Sequence, residues 1–270
     1  MNTEKTSKVD SGYVLANGVN YYYEITGKGD PLLLLHGGLG SMEMFPELRK
    51  ALAQSHQVIT VDLHGHGRTA LGDRDINPIE QGRDIAAILK NLNLAQVDVV
   101  GYSMGGRIGF QFAIQNPDMV RKIVLVSIPF AQSGFYPEML PKQAMVNASM
   151  AEMMKGTPLY EAYMAVAPKP DEYPKLLDKI GESMKRPYDW SADVARLTMP
   201  VMLVYGDSDM ITPEHQVKFY QLLGGGLKDA GWMREHISQN RLAILPDVTH
   251  YDIVDSPQLP LTIQSFLGAQ

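Results

Sequence analysis

Residues 97–113 read VDVVGYSMGGRIGFQFA, with Ser103 set between Gly101 and Gly105. A serine hydroxyl is a poor nucleophile at neutral pH. It attacks an acyl carbon only when a base takes its proton and a third group orients that base. The chain offers both further on. Asp207 and Asp209 follow the apolar run PVMLVYG, and His250 follows RLAIL in the segment PDVTHYD. Asp209 is preferred to Asp207 as the orienting acid. It stands three residues after Gly206 and four before Pro213, well out in the loop, whereas Asp207 is placed to hydrogen-bond within the turn. The other histidines fit less well. His56 and His236 lie far from any expected strand end, and His215 falls in or beside a helix, where a solvent-facing place is expected.

A tetrahedral intermediate also needs donors for its oxyanion, usually two backbone N–H groups. Met104 directly follows the serine and opens an apolar helical pattern, so its N–H points out of a helix N-terminus. The second donor is assigned to Gly38, in the loop His36-Gly37-Gly38-Leu39-Gly40. His64 and His66 alternate in DLHGHGR, but no acidic cluster supports a metal there. No metal and no cofactor is expected.

These groups need a scaffold that delivers them to one place. Val97, Val99 and Val100 read as a buried strand, and Ile108, Phe110, Phe112, Ala113 and Ile114 as a helix stopped by Pro117. The chain must turn from strand to helix around Ser103, and glycines relieve the crowding. Further strands are expected over 31–36, 57–62, 122–126, 201–205 and 241–245. Helices are expected over 45–54, 79–92, 213–223 and 259–267. A hairpin around Asn17-Gly18 opens the chain. Apolar strands separated by helices imply an α/β fold with a mostly parallel central sheet covered on both faces. Between Ser127 and Leu197 the alternation breaks. The expected division is a core of residues 1–129 and 196–270 with an inserted helical cap, residues 130–195, over the carboxyl edge of the sheet. The segment 224–240, with three consecutive glycines, is a second irregular insert.

The 270 residues carry a formal charge of −6 and no cysteine. Disulfides, thiol catalysis and cysteine metal sites are excluded. No basic run points to nucleic acid. No apolar stretch is long enough to span a membrane. The N-terminus, MNTEKTSKVDSG, lacks the apolar region of a signal peptide, and a cytoplasmic location is expected. Oligomeric state is not legible.

The set HGGLG at 36–40, DLHGHGRT at 62–69, GYSMGG at 101–106, GDSDMITP at 206–213, and His250 resembles the α/β-hydrolase-fold serine hydrolases, in the order that family shows. The resemblance covers nearly the whole chain. It implies the α/β-hydrolase fold, a nucleophile elbow at Ser103, a triad of Ser103, Asp209 and His250, and an oxyanion hole of Gly38 and Met104. Thr69 stands where serine is common. A serine nucleophile argues against the haloalkane dehalogenases and epoxide hydrolases of this fold, which use aspartate. HGGLG is similar to esterase and enol-lactonase relatives and lacks the proline of the HGGPG of proline iminopeptidases.

The expected activity is hydrolysis of a small-molecule carboxylic ester through an acyl-enzyme. Opening of a lactone or cleavage of a carbon–carbon bond by the same residues is the alternative. A perhydrolase or haloperoxidase side activity and a non-catalytic binding protein stand further back. Residues 130–199 hold eight of the sixteen methionines and several aromatics. Leu39, Phe130, Phe135, Met139, Met154 and Tyr160 are the expected lining of a pocket for a small-to-medium apolar group. Lys142 and Arg186 lie in the cap, but no cation can be assigned to a substrate carboxylate.

Overall fold

A computed structural model of the protein describes residues 10–268. Its centre is one eight-stranded sheet: β1 (Asp10–Ala16), β2 (Val19–Thr26), β3 (Asp30–Leu35), β4 (His56–Val61), β5 (Val97–Tyr102), β6 (Val120–Val126), β7 (Val201–Ser208) and β8 (Arg241–Thr249). The spatial order is β1-β2-β4-β3-β5-β6-β7-β8. β2 runs antiparallel to β1 and β4, and all other neighbours are parallel. The hairpin turns at Asn17-Gly18, where both φ angles are positive as a two-residue turn requires.

Side chains alternate between the two faces, and the sheet is covered on both. Leu33, Leu35, Ile123, Leu125, Leu203 and Tyr205 join the larger core with α2 (Pro78–Asn91), α3 (Met104–Gln115) and α8 (Pro213–Leu222). Leu32, Leu34, Val124, Val126, Met202 and Val204 pack on the other face against α1 (Pro46–Leu52) and α9 (Gln258–Leu267). Two-sided burial explains why these strands read as apolar runs rather than alternating patterns.

Most expected elements agree with the observed ones to within a residue or two. The exceptions are β7, which continues three residues beyond Tyr205, and β8, which continues four residues further than RLAIL. Between β6 and β7 the chain forms α4 (Met139–Ala144), α5 (Ala151–Met154), α6 (Pro158–Val166) and α7 (Tyr173–Lys185). Tyr163, Tyr173, Leu176, Leu177 and Ile180 from this stretch make a third apolar cluster with Leu71 and Ile76. Residues 224–240 contain no helix or strand. Among the described residues, no helix is long and apolar enough to cross a membrane.

The strand order reverses between β3 and β5. β3 leads out to β4 on one side, and β5 begins the run to β8 on the other. In parallel α/β sheets such a point opens a crevice at the carboxyl ends of the strands. The loops after β3, β5, β6, β7 and β8 carry the residues described next.

Candidate active site

Ser103 stands alone between β5 and α3, with φ 51° and ψ −117°. A positive φ is costly for a residue with a Cβ and persists only where the surroundings enforce it. Here they do. The Ser103 N–H donates to Val126 O of β6 (2.9 Å), and its carbonyl accepts the first bond of α3, from Arg107 N–H (3.0 Å). The packing also dictates the flanking glycines. A Cβ on Gly105 would sit 2.4 Å from His36 O and 2.5 Å from Leu35 O, and one on Gly101 would sit 2.7 Å from Gly105 O. No side chain fits between α3 and the ends of β3 and β5.

Ser103 Oγ lies 3.1 Å from His250 Nε2, and His250 Nδ1 lies 3.2 Å from Asp209 Oδ1. With the proton on Nδ1, the imidazole donates to the carboxylate and Nε2 accepts the serine proton. Asp209 and His250 are both 6 % exposed. Asp207 is exposed and instead accepts the backbone N–H of Asp247 at 3.1 Å. Of the two aspartates, Asp209 is the one placed beside His250, and it is buried rather than standing out in the loop.

Two groups around this line were missed in the sequence. The Ser127 hydroxyl, just past β6, donates to Asp209 Oδ2 at 2.5 Å. The Tyr102 hydroxyl donates to His250 O at 2.7 Å and fixes the histidine loop to β5; burial raises its pKa, which keeps the donor proton in place. Ser127 ends an apolar strand at the same sheet edge as Ser103, and that position is the one cue that could have singled it out.

Gly37 and Gly38 lie against the elbow. A Cβ on Gly37 would be 3.6 Å from Ser103 Cβ, and one on Gly38 would be 3.7 Å from Met104 Sδ. Among the described residues, neither the Gly38 nor the Met104 N–H donates to a protein acceptor. The segment 62–69 braces this loop from behind. Asp62 accepts the N–H groups of Met42 and Arg68, and Leu63 N–H donates to His36 Nε2 (3.0 Å). His64 Nε2–H donates to Leu71 O, and His66 Nδ1–H donates to His64 O. Burial lowers the pKa of His36 and His64 to about 4 and that of His66 to about 3, so all three are neutral spacers.

The expected pocket residues divide. Leu39, Met154 and Tyr160 pack with Met104 against the third apolar cluster. Phe135 packs on the larger core, and Met139 is half-buried at the start of α4. Phe130 is a correction. Its ring stacks on His215 (centroids 3.9 Å apart), and its N–H donates to His215 Nε2 (3.1 Å), so it belongs to the core. His215 is likewise buried, not solvent-facing, because it fills the space under Gly134 and Phe130.

Residues 30–159 match a family model described as the alpha/beta hydrolase fold. The chain has the α/β-hydrolase fold. The 2-hydroxy-6-oxo-6-(2'-aminophenyl)hexa-2,4-dienoic acid hydrolase of Metapseudomonas resinovorans is 25 % identical, over 91 % of this chain and 86 % of its own length. The pimeloyl-[acyl-carrier protein] methyl ester esterase of Nitrosomonas europaea is 24 % identical, over 88 % of this chain and 95 % of its own. Among solved structures, the enol-lactonase from Burkholderia xenovorans superposes with a TM-score of 0.70 at 21 % identity, covering 96 % of this chain and all of that one. The resemblance to esterase and enol-lactonase relatives is borne out at the level of the fold.

Proposed function

We propose that this α/β hydrolase is a serine esterase that cleaves a small-molecule carboxylic ester. The observation that carries the reading is the unbroken line from Ser103 Oγ through His250 to Asp209, at 3.1 and 3.2 Å. His250 Nε2 takes the hydroxyl proton as Ser103 Oγ bonds to the acyl carbon. Asp209 stabilises the imidazolium that results. The carbonyl electrons move onto oxygen, where the N–H groups of Gly38 and Met104 receive the charge. Collapse expels the alcohol, which takes the proton from His250, and leaves an acyl-enzyme. Water, deprotonated by His250, then releases the acid. Helices α4 to α7 act as a cap over this site, and Leu39, Met154 and Tyr160 face the bound acyl or alcohol group.

The same residues can open a lactone or cleave an activated carbon–carbon bond. The likeness to a dienoic acid hydrolase favours keeping that second reading.

The test is turnover of p-nitrophenyl esters from acetate to octanoate by the wild type and by Ser103→Ala. Wild-type turnover that vanishes in the variant is expected, and the optimum chain length then sizes the pocket. Equal rates in the two proteins would refute the serine mechanism.

A further inference from the structure

Among the described residues, every arginine except Arg107 and Arg234 donates a hydrogen bond to a protein acceptor. Arg234 is solvent-exposed in the 224–240 insert. Arg107 is different: it is half-buried on α3, and its backbone N–H bonds to the carbonyl of Ser103, one helical turn away. Its guanidinium carbon lies 4.2 Å from the ring centroid of Tyr188 and 5.4 Å from that of Trp190. Stacking on aromatic faces accommodates a cation but gives its N–H groups no acceptor. Arg107 Nε is fully buried without a partner, and so is the Tyr188 hydroxyl beside it. Burial raises the Tyr188 pKa, so this hydroxyl keeps its proton. Buried donors without acceptors are rare in folded proteins and call for a physical reason.

The chain also ties this pair to the proposed catalytic residues. Tyr188 O accepts the N–H of Gln132 (3.0 Å), and Asp189 bridges Ala131. A few residues on, Phe135 bridges Ile211, and Tyr136 N–H donates to Met210 O (3.2 Å). The strip 131–136 therefore links Tyr188 on one side to the residue following Asp209 on the other. The cations noted in the cap do not compete. Arg186 is held by Asp75 at 2.6 Å, and Lys142 is exposed on α4.

We propose that Arg107 and Tyr188 form a carboxylate subsite, so that the preferred substrate is an ester that also carries a free carboxylate. A carboxylate supplies what both groups lack: two oxygens that accept a guanidinium fork, with lone pairs left for a phenol. The proposal rests on the serine-esterase reading for its position but is testable apart from it.

Two measurements test it. In the first, kcat/KM is compared between the mono-p-nitrophenyl esters of succinate, glutarate and adipate and the neutral p-nitrophenyl esters of matching length. The wild type should prefer a carboxylated ester by tenfold or more. Arg107→Met and Tyr188→Phe should each cut that ratio at least tenfold and fivefold respectively, and Arg107→Lys should restore part of it. In the second, the free dicarboxylates are titrated calorimetrically into Ser103→Ala, with and without Arg107→Met. Binding that disappears with the arginine is expected. If dicarboxylates bind in an Arg107-dependent way but no ester is turned over, the subsite stands and the esterase reading falls. Ser103-dependent ester turnover with the same ratio in wild type, Arg107→Lys and Tyr188→Phe, and no dicarboxylate binding, overturns the subsite and leaves the esterase reading intact.

Discussion

The Ser127 hydroxyl donates to Asp209 Oδ2 at 2.5 Å while the other oxygen of that carboxylate faces His250 at 3.2 Å. Ser127 itself has φ 55°, and its N–H is held by Val204 O at 2.8 Å. A non-glycine residue in that conformation, fixed at both ends, acts as a rigid stop against which the carboxylate rests. Ser127→Ala should therefore lower kcat about tenfold with KM little changed, because removing one charge-assisted hydrogen bond loosens Asp209, the proposed orienting acid. Steady-state kinetics of the variant on any ester the wild type accepts checks this.

The two neighbouring aspartates should separate cleanly. Asp209→Asn should cost on the order of 10⁴ in kcat, since an amide favours the wrong imidazole tautomer. Asp207→Asn should stay within a few-fold of wild type, because Asp207 only accepts the Asp247 N–H at the surface. The reverse result would move the acid to Asp207.

The glycines of the elbow and of the facing loop should differ in stability. Gly105→Ala places a methyl 2.4 Å from His36 O, a backbone atom that cannot swing away. A loss of about 3 kcal/mol or more is expected in urea denaturation, or failure to accumulate folded protein. Gly38→Ala meets only ordinary contacts with Met104 and should unfold within about 1 kcal/mol of wild type.

Stability should fall with acid before most carboxylates titrate. Burial depresses the folded-state pKa of His36, His64 and His215 to about 4 and of His66 to about 3, below the unfolded value of 6.5. Below pH about 6.5 the unfolded chain takes up protons that the folded one refuses, so stability drops down to about pH 4. Above pH 7 these four residues contribute no slope. Denaturation midpoints at pH 7.5, 6.0 and 5.0 measure the effect, and His66→Gln should flatten the curve. A flat profile from 7.5 to 5.0 would show that these histidines are accessible to protons in the native state.

Much of this protein was fixed by local chemistry that a sequence displays. A buried parallel strand must be apolar throughout, and PLLLLH, KIVLV and VMLVY are so for that reason. A strand-to-helix turn of one residue leaves no room for side chains, so Gly101 and Gly105 mark Ser103. The line of Ser103, Asp209 and His250 was legible because each follows such a strand. What the sequence did not display are relationships between segments far apart along the chain. Whether Phe130 lines a pocket or the core depends on where His215 lies, 85 residues away. That Ser127 braces Asp209 follows only from β6 and β7 being neighbours in the sheet. Nor does any local pattern mark Arg107 as an arginine without an acceptor. Partners of this kind are set by packing in three dimensions, where contact is decided by the order of strands and not by spacing along the chain.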